Sequence, residues 1–568
     1  MVMHLIQLKC RQAAYESAVK IVDLLLANYY EKHGKWPELT ALILWGTEIS
    51  RTEGIGVAEF LYFLGCKPTW AKNGNVNGVE LIPLEDLTVE LNNGTVVNRP
   101  RIDVFASMVT SNKDWINWMV TAVRLAAFAE GENETDNFVK KHYAEEPSLD
   151  RLFGLPGNIL EGTGMSNLIP NTADWNILTI HDVGADKYLS KVSFAWSINE
   201  KGNVDVKNNR KVYEYLLTKT DLITQNFDST WRFLDSDDYY DWFGGLYNAA
   251  VVLKKRAGID ERPDTAFVDI RDKNNYYSRT YEEELEFEIR TKILNPKYYT
   301  PLINTAAGMN AYAAQYQNLF AGVIIGNVQI SKSTYDQMAD TLLDIASNVN
   351  SAETSAGLQS SLAWMIYLYQ TGMWEADAST VQRLVDEYIN QVLKYGVACC
   401  HHTCKNLEFN MKIIQMSSLT PAQKQRFAEI LSQATNTDPL YQSESESGSN
   451  QGASGSSGEN GQQGSYTLVN GTDNQESSQS GGETAFGDQA SSSQATAKQA
   501  STSQDASSSS SPSDQSNGKA YELSDSSASK SAAATESSMP IFVIMAILLL
   551  IAIFLVGYLR NDEDEDDY

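Results

Sequence analysis

The sequence lacks a cluster of basic residues. Its 44 Lys and Arg residues are outnumbered by 72 Asp and Glu residues, and the formal net charge is −28 over 568 residues. Nucleic-acid binding needs clustered Lys and Arg to neutralise phosphates, so this absence argues against a nucleic-acid-binding protein. A GK[ST] phosphate-binding loop is absent too, so the sequence predicts no ATP-hydrolysing site of its own.

Large apolar residues are almost absent between residues 442 and 538, where Ser, Gln, Gly, Asn and Ala dominate. Such a segment buries too little surface to offset the entropy lost on ordering, so we expect disorder. Ile541–Leu559 then runs for nineteen residues without a charge, which at about 1.5 Å per residue predicts a membrane-spanning helix. The predicted organisation is an α/β region (1–298), a helical subdomain (299–435), a disordered Ser/Gln/Gly-rich linker (436–539), a transmembrane helix (540–560) and an acidic tail (561–568).

Cysteine is scarce, and three of the five cysteines lie within six residues beside two histidines: Cys399, Cys400, His401, His402 and Cys404. This clustering favours metal or thiol chemistry over a disulfide framework, which would spread its cysteines along the chain. We predict a soft-metal or redox-sensitive site. The alternative is an ordinary helix terminus, with cysteine as a small apolar side chain and imidazoles capping carbonyl groups.

The first third of the chain has the pattern of an open, mostly parallel α/β sheet with flanking helices. Tyr15–Tyr30 predicts a helix, and the apolar runs at Leu39–Trp45 and Arg101–Met108 predict buried parallel strands. Strand, helix, strand in this order implies a right-handed crossover, with ligands outside the carboxyl ends of the strands. Trp45 and Glu48 fall at that edge.

The densest chemistry lies in Leu234–Leu246 (LDSDDYYDWFGGL), which holds four carboxylates, four aromatic rings and a glycine pair. One interpretation is a capped, buried helix whose tyrosine hydroxyls bond to aspartate. The other is an acidic, ring-lined wall that binds a metal ion or a large planar ligand, with Gly244 and Gly245 permitting close approach.

The segment Phe153–Gly164 carries four glycines and a proline, which predicts a loop of unusual backbone conformation. Without a preceding strand or a following GK[ST], a loop that shapes a binding cleft is favoured over a nucleotide loop. Further along, Tyr281–Ile293 predicts a charged helix that ends at Asn295-Pro296, and residues 301–433 have a nearly all-helical pattern.

Five segments in a fixed order resemble the large subunit of the ATP-dependent chelatases, the CobN and magnesium-chelatase H-subunit family. The order is closer to the cobalt-type branch. The segments are WPELTALILWGTEISRTEGIGVAEFLYFLGCKP, then NGVELIPLEDL with NRPRIDV, then FGLPGNILEGTGMSNLI, then LDSDDYYDWFGGL, and finally EEELEFEIRTKILNPKYY with TYDQMADTLL.

The resemblance implies insertion of cobalt, or another divalent metal such as magnesium or nickel, into a tetrapyrrole, as in cobalamin biosynthesis. The metal is a substrate, and ATP is used by separate AAA+ partner subunits. The aromatic residues stack on the macrocycle, while aspartates hold the ion or accept a pyrrole proton. The implied catalytic residues are Asp237, Asp238 and Asp241, and the implied substrate-binding residues are Trp45, Glu48, Gly157, Gly162, Gly164, Tyr239, Tyr240, Trp242, Gly244 and Gly245.

The sequence also departs from the family pattern. The family's His-Gly-Thr-His-Gly-Thr-Leu-Glu segment is missing, and 110–114 and 304–308 replace its Ser-Gly-Ile-Phe-Arg-Asp and His-Gly-Tyr sequences. We therefore expect a separate chain to supply the missing segment. The alternative function is a membrane-tethered tetrapyrrole- or metal-binding protein that has lost the chelatase reaction. A surface adhesin explains the Ser-rich stalk but not the five segments.

For localisation we expect a single-pass membrane protein with its globular part in the cytoplasm, because Met1–Lys9 lacks the pattern of a signal peptide. The opposite side stays open, since a Ser/Gln stalk and the sequons at Asn93 and Asn470 are typical of exported proteins. Flanking charge does not decide, because Arg560 is followed by six acids and acids count little in the positive-inside rule.

Overall fold

The computed structural model describes residues 10–109, 112–157, 162–436 and 439, together with strands at 496–499 and 521–524. The strands are β1 Leu39–Trp45, β2 Cys66–Trp70, β3 Val76–Leu81, β4 Thr88–Glu90, β5 Val96–Asn98, β6 Asp103–Val109, β7 Leu152–Gly154, β8 Phe194–Ile198, β9 Val204–Asn208, β10 Leu222–Phe227, β11 Asp264–Asp269, β12 Tyr277–Arg279, β13 Ala398–Cys399, β14 Thr496–Gln499 and β15 Tyr521–Ser524. The helices are α1 Gln12–His33, α2 Gly46–Arg51, α3 Ile55–Phe63, α4 Lys113–Ala127, α5 Phe138–Glu145, α6 Met165–Leu168, α7 Ile180–Val192, α8 Arg210–Lys219, α9 Gly245–Arg256, α10 Tyr281–Glu288, α11 Pro296–Ile303, α12 Ala306–Gly326, α13 Lys332–Ala346, α14 Ala352–Gln370, α15 Ala378–Tyr395, α16 Leu407–Met416 and α17 Pro421–Thr435.

Eight strands form one sheet in the order β12-β11-β10-β1-β6-β7-β8-β9. The five central strands, β11 to β7, pair in parallel, and β12, β8 and β9 are antiparallel at the edges. The predicted mostly parallel α/β sheet is therefore confirmed. Its central strand β1 is the apolar run that the sequence predicts, and it is buried because helices cover both faces.

Alternate residues of β1 face two different apolar layers. Leu39, Ala41 and Ile43 belong to a layer built with α7, α9 and α12, and the core of the helices from α12 to α17 is continuous with it. Leu42 and Leu44 belong to a second layer, built with α1, α3 and α4. The helical stretch 299–435 thus shares one core with one face of the sheet.

Two parts of the sheet region differ from the sequence expectation. The segment between α3 and β6 forms two β-hairpins, β2–β3 and β4–β5, where the predicted order of strand, helix, strand includes no further strands. Strand β10 lies beside β1 in the middle of the sheet, although its sequence LITQNF is too polar to have indicated a buried strand. Its central position places Thr224, Gln225 and Asn226 close to the end of β1.

Within the described residues, no helix is long and apolar enough to cross a membrane. The predicted span 540–560 and the acidic tail lie outside those residues. The predicted linker lies outside them as well, apart from residues 436 and 439 and the strands β14 and β15, which pair with each other and, through β15, with β13.

Candidate functional site at the carboxyl ends of the strands

Two neighbouring strands of the sheet end together in a group of acidic and polar side chains. β1 ends at Trp45 and continues into α2, while β10 ends at Phe227 and is followed by Asp228. The ring of Tyr239 packs against Phe227 at 5.2 Å, which brings the Leu234–Leu246 segment to the same edge. The strand-end site, as we use the term, consists of Trp45, Glu48, Arg51, Glu59, Asp228 and Asp238.

Two glutamates of this site are buried without a cation. Glu48 and Glu59 are 4% and 2% exposed, and neither forms a salt bridge within the described part of the chain. Thr52 Oγ1 donates to Glu48 Oε1 (3.1 Å), and Asn226 Nδ2 donates to Glu59 Oε1 (2.8 Å). Burial, reinforced by the charge of Asp228, raises the pKa of Glu48 to about 8, and burial beside Glu48 raises the pKa of Glu59 well above its usual range. Glu48 therefore keeps its proton near neutral pH, and the pKa of Glu59 is displaced in the same direction.

Arg51, the cation of the strand-end site, pairs with Asp228 and not with Glu48 or Glu59. Arg51 makes a two-pronged contact with Asp228, with its Nη2 2.9 Å from Oδ1. The Arg51 side chain is 55% exposed whereas that of Asp228 is 9% exposed, so the guanidinium covers Asp228 and faces solvent. Glu48 and Glu59 are left with neutral hydrogen-bond donors.

Polar groups on the other face of the same strand ends also lack partners within the described protein. The indole Nε1 of Trp45 and both amide atoms of Gln225 are buried without a hydrogen bond, and Gln225 is only 2% exposed. Buried polar atoms are nearly always satisfied by protein, water or ligand, so these groups mark a place where a polar molecule is expected.

Asp241, predicted as catalytic, accepts hydrogen bonds from backbone N–H groups of a distant segment. It is 2% exposed and accepts from the backbone N–H of Thr163 (2.6 Å) and of Ser166 (2.8 Å), while Thr163 Oγ1 donates to its carbonyl oxygen. Both carboxylate oxygens are thus occupied in tying the glycine-rich loop to the π-helical turn Tyr239–Gly244. An ion or a pyrrole proton would have to displace these bonds.

Asp238 is open to solvent, whereas Asp237 is half-buried. Asp238 is exposed yet has protein around most of its carboxylate, as a group in a cleft does, and Ser236 Oγ donates to it at 3.0 Å. This desolvation, with the charge of Asp237, raises the pKa of Asp238 to about 6. Of the three predicted catalytic aspartates, Asp238 is the best placed to exchange a proton with a ligand.

The predicted glycines and rings are mostly packing positions. A Cβ on Gly244 or Gly245 would lie 2.8 Å from Ile325 and 2.5 Å from Tyr188, so the pair admits neighbouring side chains, and the expectation of close ligand approach is wrong there. Gly162 and Gly164 have positive φ (62° and 92°) and shape the loop next to Asp241, whereas Gly157 is exposed with open space around it.

The aromatic residues of Leu234–Leu246 also divide into buried packing residues and residues that a ligand can reach. Tyr240 and Trp242 are core residues, with Trp242 packed edge-on against Trp45 at 6.1 Å. Tyr239 is half-buried, and its hydroxyl donates to the carbonyl of Trp231 and not to an aspartate. The interpretation as a buried helical segment therefore describes most of the rings, and Trp45 and Tyr239 are the two left for a ligand.

The predicted charged helix is buried on one side, where it holds the Leu234–Leu246 segment in place. Glu288 accepts from the backbone N–H of Phe233 (2.7 Å) and Leu234 (3.0 Å) and pairs with Lys292 (2.7 Å). Glu284 pairs with Arg232 at 2.6 Å. These acids have cations at hand, unlike Glu48 and Glu59.

The cysteine–histidine cluster does not form the predicted metal site. Cys399 and Cys404 are joined in a disulfide, so their sulfurs are not thiolate ligands. His402 is held by Ser360 Oγ (2.9 Å), lies 3.0 Å from Cys400 Sγ and stacks on Trp364, while His401 is exposed. Among the residues described by the structure, no three His, Cys, Asp or Glu side chains are grouped to hold a metal ion. The redox-sensitive alternative stays a prediction.

Sequence reasoning missed Glu59, Asp228, Arg51 and Asn226. Glu59 carried a usable signal, because it is the single charge in the otherwise apolar helix IGVAEFLYF, and an isolated carboxylate in an all-buried helix is rare. Asp228 and Asn226 carried none, since the strand that positions them was not predicted.

The comparisons with known proteins agree with this fold. A family model described as CobN/Magnesium Chelatase matches residues 11–381. The aerobic cobaltochelatase subunit CobN of Sinorhizobium sp is 31% identical over 309 residues, 50% of this chain and 22% of that protein. An uncharacterized protein of Methanocaldococcus jannaschii is 28% identical over 405 residues, 66% of this chain and 30% of that protein.

A solved structure shares the fold. The catalytic subunit of cobaltochelatase from Mycobacterium tuberculosis superimposes with a TM-score of 0.59 at 24% identity, covering 67% of this chain and 32% of that one. The chain thus spans about a third or less of the length of these relatives.

Proposed function

Because the chain belongs to the CobN/magnesium chelatase family, we propose that it is a segment of a chelatase large subunit that binds a tetrapyrrole and takes part in inserting a divalent metal, with cobalt as the favoured ion. The observation that carries the proposal is the strand-end site: protonatable carboxyl groups at the carboxyl ends of parallel strands, the usual ligand position of an open α/β sheet.

Metal insertion releases two pyrrole protons, and this site offers acceptors for them. Asp238, with a pKa of about 6, is mostly ionised at neutral pH and reaches solvent, so it is suited to take a proton from the ring. Trp45 and Tyr239 offer aromatic surface beside it. Glu48 stays protonated at neutral pH and donates a hydrogen bond in that state.

The remaining parts of the reaction are assigned to other chains. ATP hydrolysis belongs to AAA+ partner subunits, and metal capture belongs to a chain carrying the missing His-Gly-Thr-His segment. For the cell, we propose anchoring by Ile541–Leu559 with the globular part in the cytoplasm, where ATP and these partners are available.

A membrane-tethered tetrapyrrole- or metal-binding protein without chelatase activity is the second candidate. It is favoured by the engagement of Asp241 in backbone hydrogen bonds, which leaves one fewer carboxylate for chemistry.

The test is a titration of the full chain with a metal-free ring of the sirohydrochlorin type, in which binding is measured by the quenching of tryptophan fluorescence. We expect saturable quenching but no metal insertion by the single chain with ATP and Co²⁺. With partner subunits and the missing segment added, Asp238→Asn should slow insertion by about 100-fold, the usual scale for a lost proton acceptor. Asp260→Asn, at an exposed position outside the site, is the matched control.

Absence of saturable ring binding would contradict the first function and leave only the metal-binding form of the second. Ring binding with no insertion in the complete mixture would favour the second candidate, and turnover by the single chain would contradict the assignment of steps to other chains.

A further inference from the structure

A pocket of about 340 Å³ lies between α7, the second half of α9 and the end of α12. Its polar lining consists of His181, Asp182, Tyr247, Asn248, Lys255, Arg256, Arg262 and Asn327. Lys255 follows Tyr240 by fifteen residues of continuous helix, which is roughly 20 Å along the axis, so the pocket is separate from the strand-end site.

His181 is held in a fixed orientation on one wall of the pocket. Asn248, 2% exposed, donates its Nδ2 to the carbonyl oxygen of His181 (2.8 Å), and its Oδ1 lies 2.9 Å from His181 Nδ1. The Asn248 oxygen thus accepts from Nδ1–H. No described residue bonds to Nε2, which is left for a molecule in the pocket.

Two of the three cations in the lining, Lys255 and Arg262, have no carboxylate partner within the described residues. Neither Lys255 nor Arg262 forms a salt bridge in the part of the chain that the structure describes. Arg262 donates from Nη1 to the carbonyl oxygen of Asn327 (3.1 Å) and also bonds to the side chain of Tyr247. Arg256, by contrast, pairs with Asp182 and Asp186. Basic residues in the last turn of α9 suit the helix dipole, but Arg262 comes from the following loop and has no such role.

We propose that this pocket binds a phosphate group, either free phosphate or the phosphate of a nucleotide. Arg262 and Lys255 supply charge-assisted hydrogen bonds, and His181 Nε2 contacts the remaining oxygen. Two cations that line one pocket without carboxylate partners among the described residues are unusual in a chain of charge −28, and they match an anion of tetrahedral oxygens.

The histidine favours phosphate over carboxylate. Burial, with the charges of Arg262 and Lys255, lowers the pKa of His181, so its Nε2 is a hydrogen-bond acceptor at neutral pH, and the charge of Asp182 opposes this only in part. A phosphate monoanion, whose remaining proton has a pKa of about 6–7, can donate that proton to Nε2. A carboxylate has no proton to donate and would place a lone pair against Nε2.

The experiment is a titration of the full chain with inorganic phosphate. Binding is measured by calorimetry and by the imidazole ¹⁵N resonances of His181. We expect saturable binding that moves the His181 signals. Lys255→Gln and Arg262→Gln should each weaken binding by about tenfold, the scale of one charge-assisted hydrogen bond. Lys201→Gln, the same change at an exposed turn, should alter binding less than about twofold.

Parallel titrations with a nucleoside triphosphate and with acetate separate the ligand classes. Tighter binding of the nucleotide through the same residues identifies a nucleotide phosphate, and equal or weaker binding identifies free phosphate. Three results would overturn the proposal: no saturable phosphate binding, acetate binding as tight as phosphate, or equal weakening by Lys201→Gln and Lys255→Gln. Because Lys255 is exposed, its variant keeps the fold, which a melting curve checks.

Discussion

Buried carboxylates lie at both ends of the central strands, and they differ in their partners. At the beginning of β6, Asp103 is fully buried and bonded to Arg151 Nε (3.0 Å) and His142 Nδ1 (2.9 Å). Burial alone would raise the pKa of Asp103, but Arg151 and His142 hold it below its ordinary value. Beyond the end of β1, Glu48 and Glu59 are also buried, have no salt-bridge partner in the part of the chain that the structure describes, and have raised pKa values.

This difference separates acids that hold the fold from acids available for chemistry. A paired buried charge contributes to the fold only while its partner is present, whereas an unpaired buried acid avoids the desolvation cost by keeping its proton. Perturbed acids of the second kind collect at functional sites, and here they collect where an open α/β sheet binds ligands.

The largest loss of stability is expected when the buried pair of Asp103 and Arg151 is broken. Arg151→Leu leaves the Asp103 charge buried beside His142 alone and should lower the free energy of unfolding by about 3–5 kcal/mol. Denaturant unfolding measures the loss. Arg383→Leu removes an exposed pair with Asp340 and should cost less than about 1 kcal/mol; equal losses in the two variants would contradict the structural role of the paired acids.

A smaller loss is expected from Asp241→Ala. The backbone N–H groups of Thr163 and Ser166 lose a charged acceptor in a buried place, which should cost about 2–3 kcal/mol in the free energy of unfolding. Thermal or denaturant unfolding is the measurement. A change near zero would return Asp241 to the list of carboxylates available for chemistry.

The pH dependence of stability tests the prediction that Glu48 is buried without a cation. The pKa of Glu48 is raised from 4.5 to about 8 on folding, so between these values the folded state binds more protons than the unfolded state. Stability from this group is full below about pH 4.5 and is lost as pH rises toward 8.

Glu48→Gln removes this dependence. Between about pH 6 and 7.5 the wild type should lose about 2 kcal/mol relative to the variant in unfolding experiments, at about 1.4 kcal/mol per pH unit. The exposed Glu200→Gln change should leave the pH profile as in the wild type. Parallel profiles for wild type and Glu48→Gln would show that Glu48 ionises normally.

The smallest stability effect is expected at Asp238. Its side chain is exposed and, among the described residues, bonds only to Ser236, so Asp238→Ala should change the free energy of unfolding by less than about 0.5 kcal/mol while impairing ring chemistry. Melting curves and the insertion assay together check this. A loss as large as that of Asp241→Ala would make Asp238 a structural residue.

Sequence reasoning predicted the parallel sheet because Leu39–Trp45 is a continuous apolar run, which a strand buried on both faces requires. It missed β10 because Thr224, Gln225 and Asn226 interrupt the apolar pattern, and those polar residues are there because the strand end belongs to the site. The sequence does not show that the Tyr188 ring packs against Gly245. A glycine pair reads the same in sequence whether a ligand or a side-chain ring lies against it, and only tertiary packing distinguishes the two cases.

Within the candidate site, residue type predicted acidity but not which acids are unpaired. Asp238 and Asp241 are three residues apart and look equivalent in sequence, yet one faces solvent and the other accepts two backbone N–H groups from a distant loop. The clustered cysteines were a similar case, because spacing does not reveal that Cys399 and Cys404 pair with each other.

The most direct test is the titration of Glu48 and Glu59 themselves. In full chain labelled with ¹³C at glutamate side-chain carboxyls, the two resonances are assigned with Glu48→Gln and Glu59→Gln and followed across neutral pH. We predict that the Glu48 signal titrates near pH 8 and that the Glu59 signal titrates well above the range of exposed glutamates. Titration of both near pH 4 to 5, as for exposed glutamates, would contradict the account.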